Sequence, residues 1–141
     1  MPAVEAFLDT NILLYAASNT PAERSFAKQA LELVIGMHFG TSIQVIQEFH
    51  VNATGKLKKN ISHDKIAVIV DLLAVRPMVI MTLSLFRRAV RISERFQIGY
   101  WDAAIVAAAQ ELGATTLYSE DLNHGQDYEG LKVINPFHGL R

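Results

Sequence analysis

Short apolar runs alternate along this chain with longer segments whose apolar residues recur at helical spacing. Residues 4–8 form the first run, and Asp9 ends it, so a short strand is predicted there. Residues 10–17 read as a short helix or turn. Residues 21–36 read as a helix, with Thr20 as N-cap, Pro21 at the first helical position and Glu23 at N3, as in a capping box. Residues 39–41 are a second short strand. Ser42 then caps a helix to about Gly55, in which Val45, Ile46, Phe49 and Ala53 continue one stripe. Ser62 caps the next, through Ala74, with Ile66, Ile69, Val70 and Leu73 on one face.

The run 77–81 opens at Pro77 and is apolar throughout, the pattern of a buried parallel strand. Residues 84–96 are amphipathic, with Phe86, Ala89, Val90 and Ser93 predicted on the inner side. Residues 100–112 are the most apolar helix, and Gly113 stops it as a C′ glycine does. Strands are predicted at 114–118 and 131–134, the last closed by Pro136. Alternating strands and helices argue for an α/β fold, a three-layer α/β/α sandwich with a central mainly parallel sheet. The length, 141 residues, predicts a single domain over 1–141.

Composition narrows the function. Half the residues are hydrophobic and 19% are charged, as in a globular chain. There is no cysteine, which excludes a disulfide scaffold, a thiolate zinc site and a cysteine nucleophile. The net charge of −1 provides no global field for nucleic acid, so any such contact needs a local patch. No apolar run approaches the roughly 18–20 residues of a membrane span. The amino terminus lacks the basic segment of a signal peptide. A cytoplasmic protein without membrane contact is therefore expected.

Four carboxylates stand at element boundaries: Asp9, Glu48, Asp102 and Asp121. Locally, Asp9 is an N-cap or a site residue. Glu48 lies at the edge of its helix's core face, toward either a cleft or water. Asp102 heads a helix apolar enough to be buried, so it either caps that helix or holds a cation. Asp121 sits in a polar loop after a strand, and Glu120 beside it is expected to face solvent. The predicted sheet puts Asp9 and Asp121 at the carboxyl ends of strands, where ligands of such folds bind. Carboxylates drawn together repel unless protonated or metal-bound. Mg²⁺ or Mn²⁺ takes such oxygen ligands, lowers the pKa of bound water and clamps phosphodiester oxygens.

Val4-Glu5-Ala6-Phe7-Leu8-Asp9-Thr10-Asn11 resembles the opening of the PIN domain. The segment from Tyr100-Trp101-Asp102 through Ala109 resembles its third acidic motif. Leu117-Tyr118-Ser119-Glu120-Asp121-Leu122-Asn123 resembles its fourth, and Val133-Ile134-Asn135-Pro136-Phe137 the ending of the VapC toxin branch. The resemblance implies an Mg²⁺- or Mn²⁺-dependent endoribonuclease, the toxin of a toxin–antitoxin pair. Asp9, Glu48, Asp102 and Asp121 would be its acidic quartet, with Ser119, Thr10 and Asn11 supporting it through hydrogen bonds. It further implies an RNA substrate cut to a 5′-phosphate and a 3′-hydroxyl, a cognate antitoxin protein and a homodimer.

Arg87, Arg91 and Arg95 recur every four residues beside Arg88, as a solvated face or as an RNA-contacting strip. Lys56, Lys58 and Lys59 form a smaller cluster of the same kind. His124 is read as a loop histidine and Trp101 as core packing. Two other functions stay open. A metal-dependent phosphatase or phospho-acceptor domain fits Asp9 superficially but lacks a second aspartate two residues on. A non-catalytic interaction domain would use the acids as caps and surface charge.

Overall fold

A computed structural model describes residues 3–55 and 61–140. Lys56, Lys58 and Lys59 lie outside the described residues. Strands β1 (Ala6–Leu8), β2 (Phe39–Ser42), β3 (Met78–Val79), β4 (Thr116–Tyr118), β5 (Asp127–Tyr128) and β6 (Leu131–Ile134) form one sheet in the order β3-β2-β1-β4-β6-β5. Neighbours pair parallel except β5 and β6. The helices are α1 (Thr10–Ala17), α2 (Arg24–Gly36), α3 (Ile43–Thr54), α4 (His63–Ala74), α5 (Leu83–Phe96) and α6 (Tyr100–Glu111).

The chain steps outward from β1 to β2 to β3, then returns to lay β4 on the other side of β1. Right-handed crossovers therefore put α1 to α4 on one face and α5 with α6 on the other. The packing agrees: α1 meets α2, α3 and α4, while α5 lies against α6. This is the expected α/β sandwich around a mainly parallel sheet.

The central strand β1 is buried on both faces, with Ala6, Phe7 and Leu8 all at 0% exposure. Each such Phe or Leu stabilises the fold by about 1.5–3 kcal/mol relative to an exposed one. On the other face, every residue from Ala103 through Ala109 in α6 is buried. Small side chains let this helix lie close to both the sheet and α5. Gly113, at φ +71°, ends it in a Schellman turn: its N–H donates to Gln110 O at 3.0 Å, and Ala114 N–H donates to Ala109 O at 3.1 Å.

Several local expectations change. The run 77–81 is not a strand buried on both faces. Only Met78–Val79 is strand, and Ile80 is 66% exposed, because β3 is the sheet's edge. Helix α5 is capped by Thr82, whose Oγ1 accepts from Leu85 N–H at 3.1 Å, and it buries Leu85, Ala89 and Ile92. Phe86 faces outward instead. Thr20 caps no helix through its side chain: Pro21–Glu23 is a 3₁₀ turn, and Ser18 Oγ donates to Glu23 Oε1 at 2.7 Å. Trp101 is no core residue but 68% exposed. Strand β5 was not expected, since a two-residue strand has no periodicity to detect.

Candidate active site

The order of strands reverses between β1 and β4, so a crevice opens outside their carboxyl ends. Asp9 follows β1 there and Ser119 follows β4. Asp9 N–H donates to Tyr118 O at 3.0 Å, which ties the two ends together. As the α1 N-cap, Asp9 has extended backbone, and its Oδ1 accepts from Thr10 N–H at 2.7 Å. Its Oδ2 accepts from Ser119 Oγ at 2.8 Å. The buried Ser119 hydroxyl also accepts from the N–H groups of Asp121 at 3.2 Å and Leu122 at 3.4 Å. One hydroxyl thus orients Asp9 and folds the turn that carries Asp121. Asp9 therefore caps α1 with a side chain that also stands at the crevice.

Glu48 comes from α3 and is half-buried. Its Oε1 accepts from Thr10 Oγ1 at 3.3 Å and from Gln44 Nε2 at 3.5 Å. Gln44 Nε2 also donates to Trp101 O at 3.2 Å, so it spans from α3 to the first turn of α6, where Asp102 sits. Asp102 does not cap that helix; Gly99 is the N-cap and offers no side-chain bond. Asp121 is exposed on the loop after β4.

Electrostatics ties the four acids together. Burial pushes Asp9 up to about 6, against the hydrogen bonds from Thr10 and Ser119, and the charges of Asp121 and Glu48 add to the rise. Burial also raises Glu48, opposed by Thr10 and Gln44 and reinforced by Asp121 and Asp102. Asp102 is raised by burial and then by Asp121. The charge of Asp121 is thus felt by each of the other three. Among the described residues, no three acidic or histidine side chains close on a common point as a finished metal cage. The donor set still suits a hard divalent ion, because Mg²⁺ keeps several waters and takes only one or two protein carboxylates directly.

Asn11 holds the same turn from the α1 side, its Oδ1 accepting from Glu120 N–H at 3.3 Å. Among the described residues its buried Nδ2 has no hydrogen-bond partner. Glu120 does not simply face solvent: it is half-buried and its Oε1 accepts from Tyr15 OH at 3.4 Å. Gln44 and Tyr15 were not foreseen. Gln44 had a detectable signal, since it precedes Glu48 by one helical turn on the same face; Tyr15 had none.

The arginine strip lies elsewhere. Arg88, Arg91 and Arg95 line an open cavity of about 740 Å³ with Gln110, Ala114, Glu129 and Leu131. Ala114 and Leu131 mark the amino ends of β4 and β6, the rim opposite the carboxylates. Arg88 pairs with Glu111 at 3.0 Å, Arg95 pairs with Glu129, and Arg87 is exposed.

Comparison with known proteins fits this geometry. The sequence pattern of the PIN domain matches residues 6–126. No functionally curated protein matches the sequence. Among solved structures, a toxin–antitoxin complex from Klebsiella pneumoniae superposes with a TM-score of 0.69 at 20% identity, over 93% of this chain and 97% of that one. FitAcB from Neisseria gonorrhoeae gives 0.65 at 18% identity, over 94% and 99%. VapC20 from Mycobacterium tuberculosis, described as a sarcin–ricin loop cleaving toxin, gives 0.63 at 20% identity, over 82% and 89%. With a crevice at the β1–β4 switch point, acids at its rim and a family pattern over most of its length, the chain belongs to the PIN domain family.

Proposed function

We propose that the protein is a metal-dependent endoribonuclease, the toxin of a toxin–antitoxin pair. The observation that carries this reading is that Asp9 and Asp121 follow adjacent strands at the switch point, with Asp9, Glu48 and Asp102 each raised by burial and further by the charge of Asp121. Partly buried anionic groups near one another favour a compensating cation. Asp9, Glu48, Asp102 and Asp121 would hold Mg²⁺ or Mn²⁺. The bound ion would supply an acidified water and charge neutralisation at the phosphodiester. The chain's own contribution is positioning. Ser119 and Thr10 fix both oxygens of Asp9, Thr10 and Gln44 fix Glu48, and Asn11 holds the Asp121 turn. Water adds to phosphorus and the bond to O3′ breaks, leaving a 5′-phosphate and a 3′-hydroxyl. Arg87, Arg91 and Arg95 would meet only the outlying part of a long RNA passing round α5.

A toxin–antitoxin complex is among the solved structures similar in fold, which supports an antitoxin as partner. An apolar groove of about 450 Å³ between α2 and α4, lined by Leu13, Leu31, Val34, Val68, Leu72 and Val75, is the surface we assign to it. Exposed apolar surface of this kind marks a protein contact. The test of the enzymatic reading is direct. Purified protein should cut RNA with Mg²⁺ or Mn²⁺ and stop with chelator. Asp102→Asn should remove cleavage while the protein stays folded; full activity in that folded variant would overturn the assignment.

A further inference from the structure

A cavity of about 230 Å³ opens beside the acids. Ser42 and Val79, the last residues of β2 and β3, stand in its wall. These strands run parallel with β1, so the cavity lies on the rim that carries the carboxylates. Two more of its lining residues are sequence neighbours of the acids: Gln47 precedes Glu48, and Trp101 precedes Asp102. Pockets that take a drug-sized molecule run to roughly 300–1,000 Å³. This one is of a size for a single planar group.

One wall is shared with the acid site. Gln44, also lining the cavity, donates through Nε2 to Glu48 Oε1 at 3.5 Å and to Trp101 O at 3.2 Å. Both partners are acceptors, so the nitrogen end of the amide faces them. This side chain anchors the backbone that carries the indole. The Trp101 ring lies 5.0 Å from the Tyr100 ring with planes 76° apart, and Tyr100 lies 5.6 Å from Phe86 at 50°. The indole is thus braced by Tyr100 and still 68% exposed. Among the described residues, nothing bonds the exposed side chain of Gln47. A lone exposed apolar side chain needs no explanation. An indole braced at the lip of a cavity, with a free amide in the same wall and an acid of the site as its neighbour, does.

We propose that this cavity is a subsite for an unpaired nucleotide flanking the scissile phosphate, whose base stacks on Trp101 and bonds to the Gln47 amide. The inference rests on the ribonuclease reading. Unpaired bases are recognised by stacking on aromatic rings and by hydrogen bonds to their exposed edges. Stacking is sequence-tolerant because every base has a π-face. An amide carries both donors and an acceptor, and the Watson–Crick edge of each base offers a complementary pair. The subsite therefore selects a base free of its partner rather than one base over another. A base inside a duplex has neither the face nor the edge to offer.

The test has two arms. In the first, a short unpaired RNA, intact or with the base removed at one position flanking the cut, is cleaved by the unaltered protein, Trp101→Phe and Trp101→Ala. In the unaltered protein, base removal at one position should raise KM about 5- to 150-fold, the worth of one base–aromatic stack, with kcat little changed. Trp101→Phe should keep most of that penalty, and Trp101→Ala should lose it, since the stack is then already gone. A penalty equal in the unaltered protein and Trp101→Ala, or absent at every flanking position, overturns the subsite and leaves the ribonuclease reading standing. If Trp101→Ala then also turns a dimer into a monomer, the indole belongs to a contact between copies. In the second arm, metal-free protein is titrated with the same RNA, alone or annealed to its complement. The readout is the fluorescence of Trp101, the only tryptophan in the chain. Quenching by the unpaired strand alone is expected, and equal quenching by the duplex overturns the selection for unpaired bases. Where the protein cuts RNA, the first arm decides the subsite. Where it cuts none, quenching by the unpaired strand keeps the subsite and overturns the ribonuclease reading, and no quenching overturns both.

Discussion

Asp9 is the residue on which the site's chemistry and its stability meet. Its carboxyl titrates near 6 in the folded protein and near the ordinary 3.8 when unfolded. Between those values the folded state holds more protons than the unfolded one, so stability falls as pH rises through this window. The shift corresponds to roughly 3 kcal/mol lost by pH 7 in metal-free protein. The midpoint of thermal unfolding should thus drop between about pH 4 and pH 6, and Asp9→Asn should flatten that slope. Added Mg²⁺ should restore more stability at pH 8 than at pH 5, since the proton and the ion compete for one carboxylate. An unchanged midpoint on metal addition at pH 8 would count against the metal assignment. Ser119→Ala removes the donor to Asp9 and the acceptor of two loop amides, so unfolding should become easier by about 1–3 kcal/mol. Of these side chains, Asp9 stood out because it ends an apolar run, Asp102 because it heads an apolar helix, and Asp121 because it follows a predicted strand. Glu48 was legible mainly through the family likeness. The bonds among them were not, because each joins residues far apart in sequence.

At the level of elements, the alanine-rich α6 sets how closely two layers approach. Ala107→Leu would push a larger side chain into a space with 0% exposure and should destabilise by about 1–3 kcal/mol, read as a lower denaturant midpoint. The groove between α2 and α4 makes the opposite demand, since Leu72 at 59% exposure is available to a partner. Leu72→Glu should weaken capture by a cognate antitoxin while RNA cleavage and thermal stability stay near those of the parent. Helix positions were readable from spacing wherever one face alone is buried, as with Ile66 and Leu73 in α4. The reading slipped where a helix has apolar residues on two faces. In α5 both Leu85 and Phe86 are apolar, and periodicity alone cannot say which packs inward. The edge position of β3 is a similar case: an apolar run shows burial somewhere, without showing whether the sheet or a partner provides it.

For the whole molecule, that ambiguity has a physical content. Ile80, Met81, Leu83, Phe86 and Trp101 all lie exposed on or near the β3 edge. If the chain forms the homodimer that the family resemblance implies, this uncharged surface, beside the turn that carries Asp102, is where the contact would be expected. Ile80→Glu combined with Leu83→Glu should shift the protein to a monomer in sedimentation analysis, with the fold retained because both side chains are already solvent-facing. A dimer that persists would move the contact elsewhere. The layered α/β class was visible in the alternation of strands and helices. The strand order was not, because nothing local tells the chain to turn back from β3 and add β4 beside β1.

The hydrogen bond from Ser119 to Asp9 spans 110 positions of sequence. A ribosome delivers Asp9 110 positions before Ser119, and every helix from α1 to α6 is made in between. Until β4 docks beside β1, Asp9 has no hydroxyl to orient it and Asp121 is not yet present. A growing chain therefore carries no assembled rim, and the nuclease proposed above would stay inactive on the ribosome until the segment bearing Ser119 and Asp121 has emerged and docked.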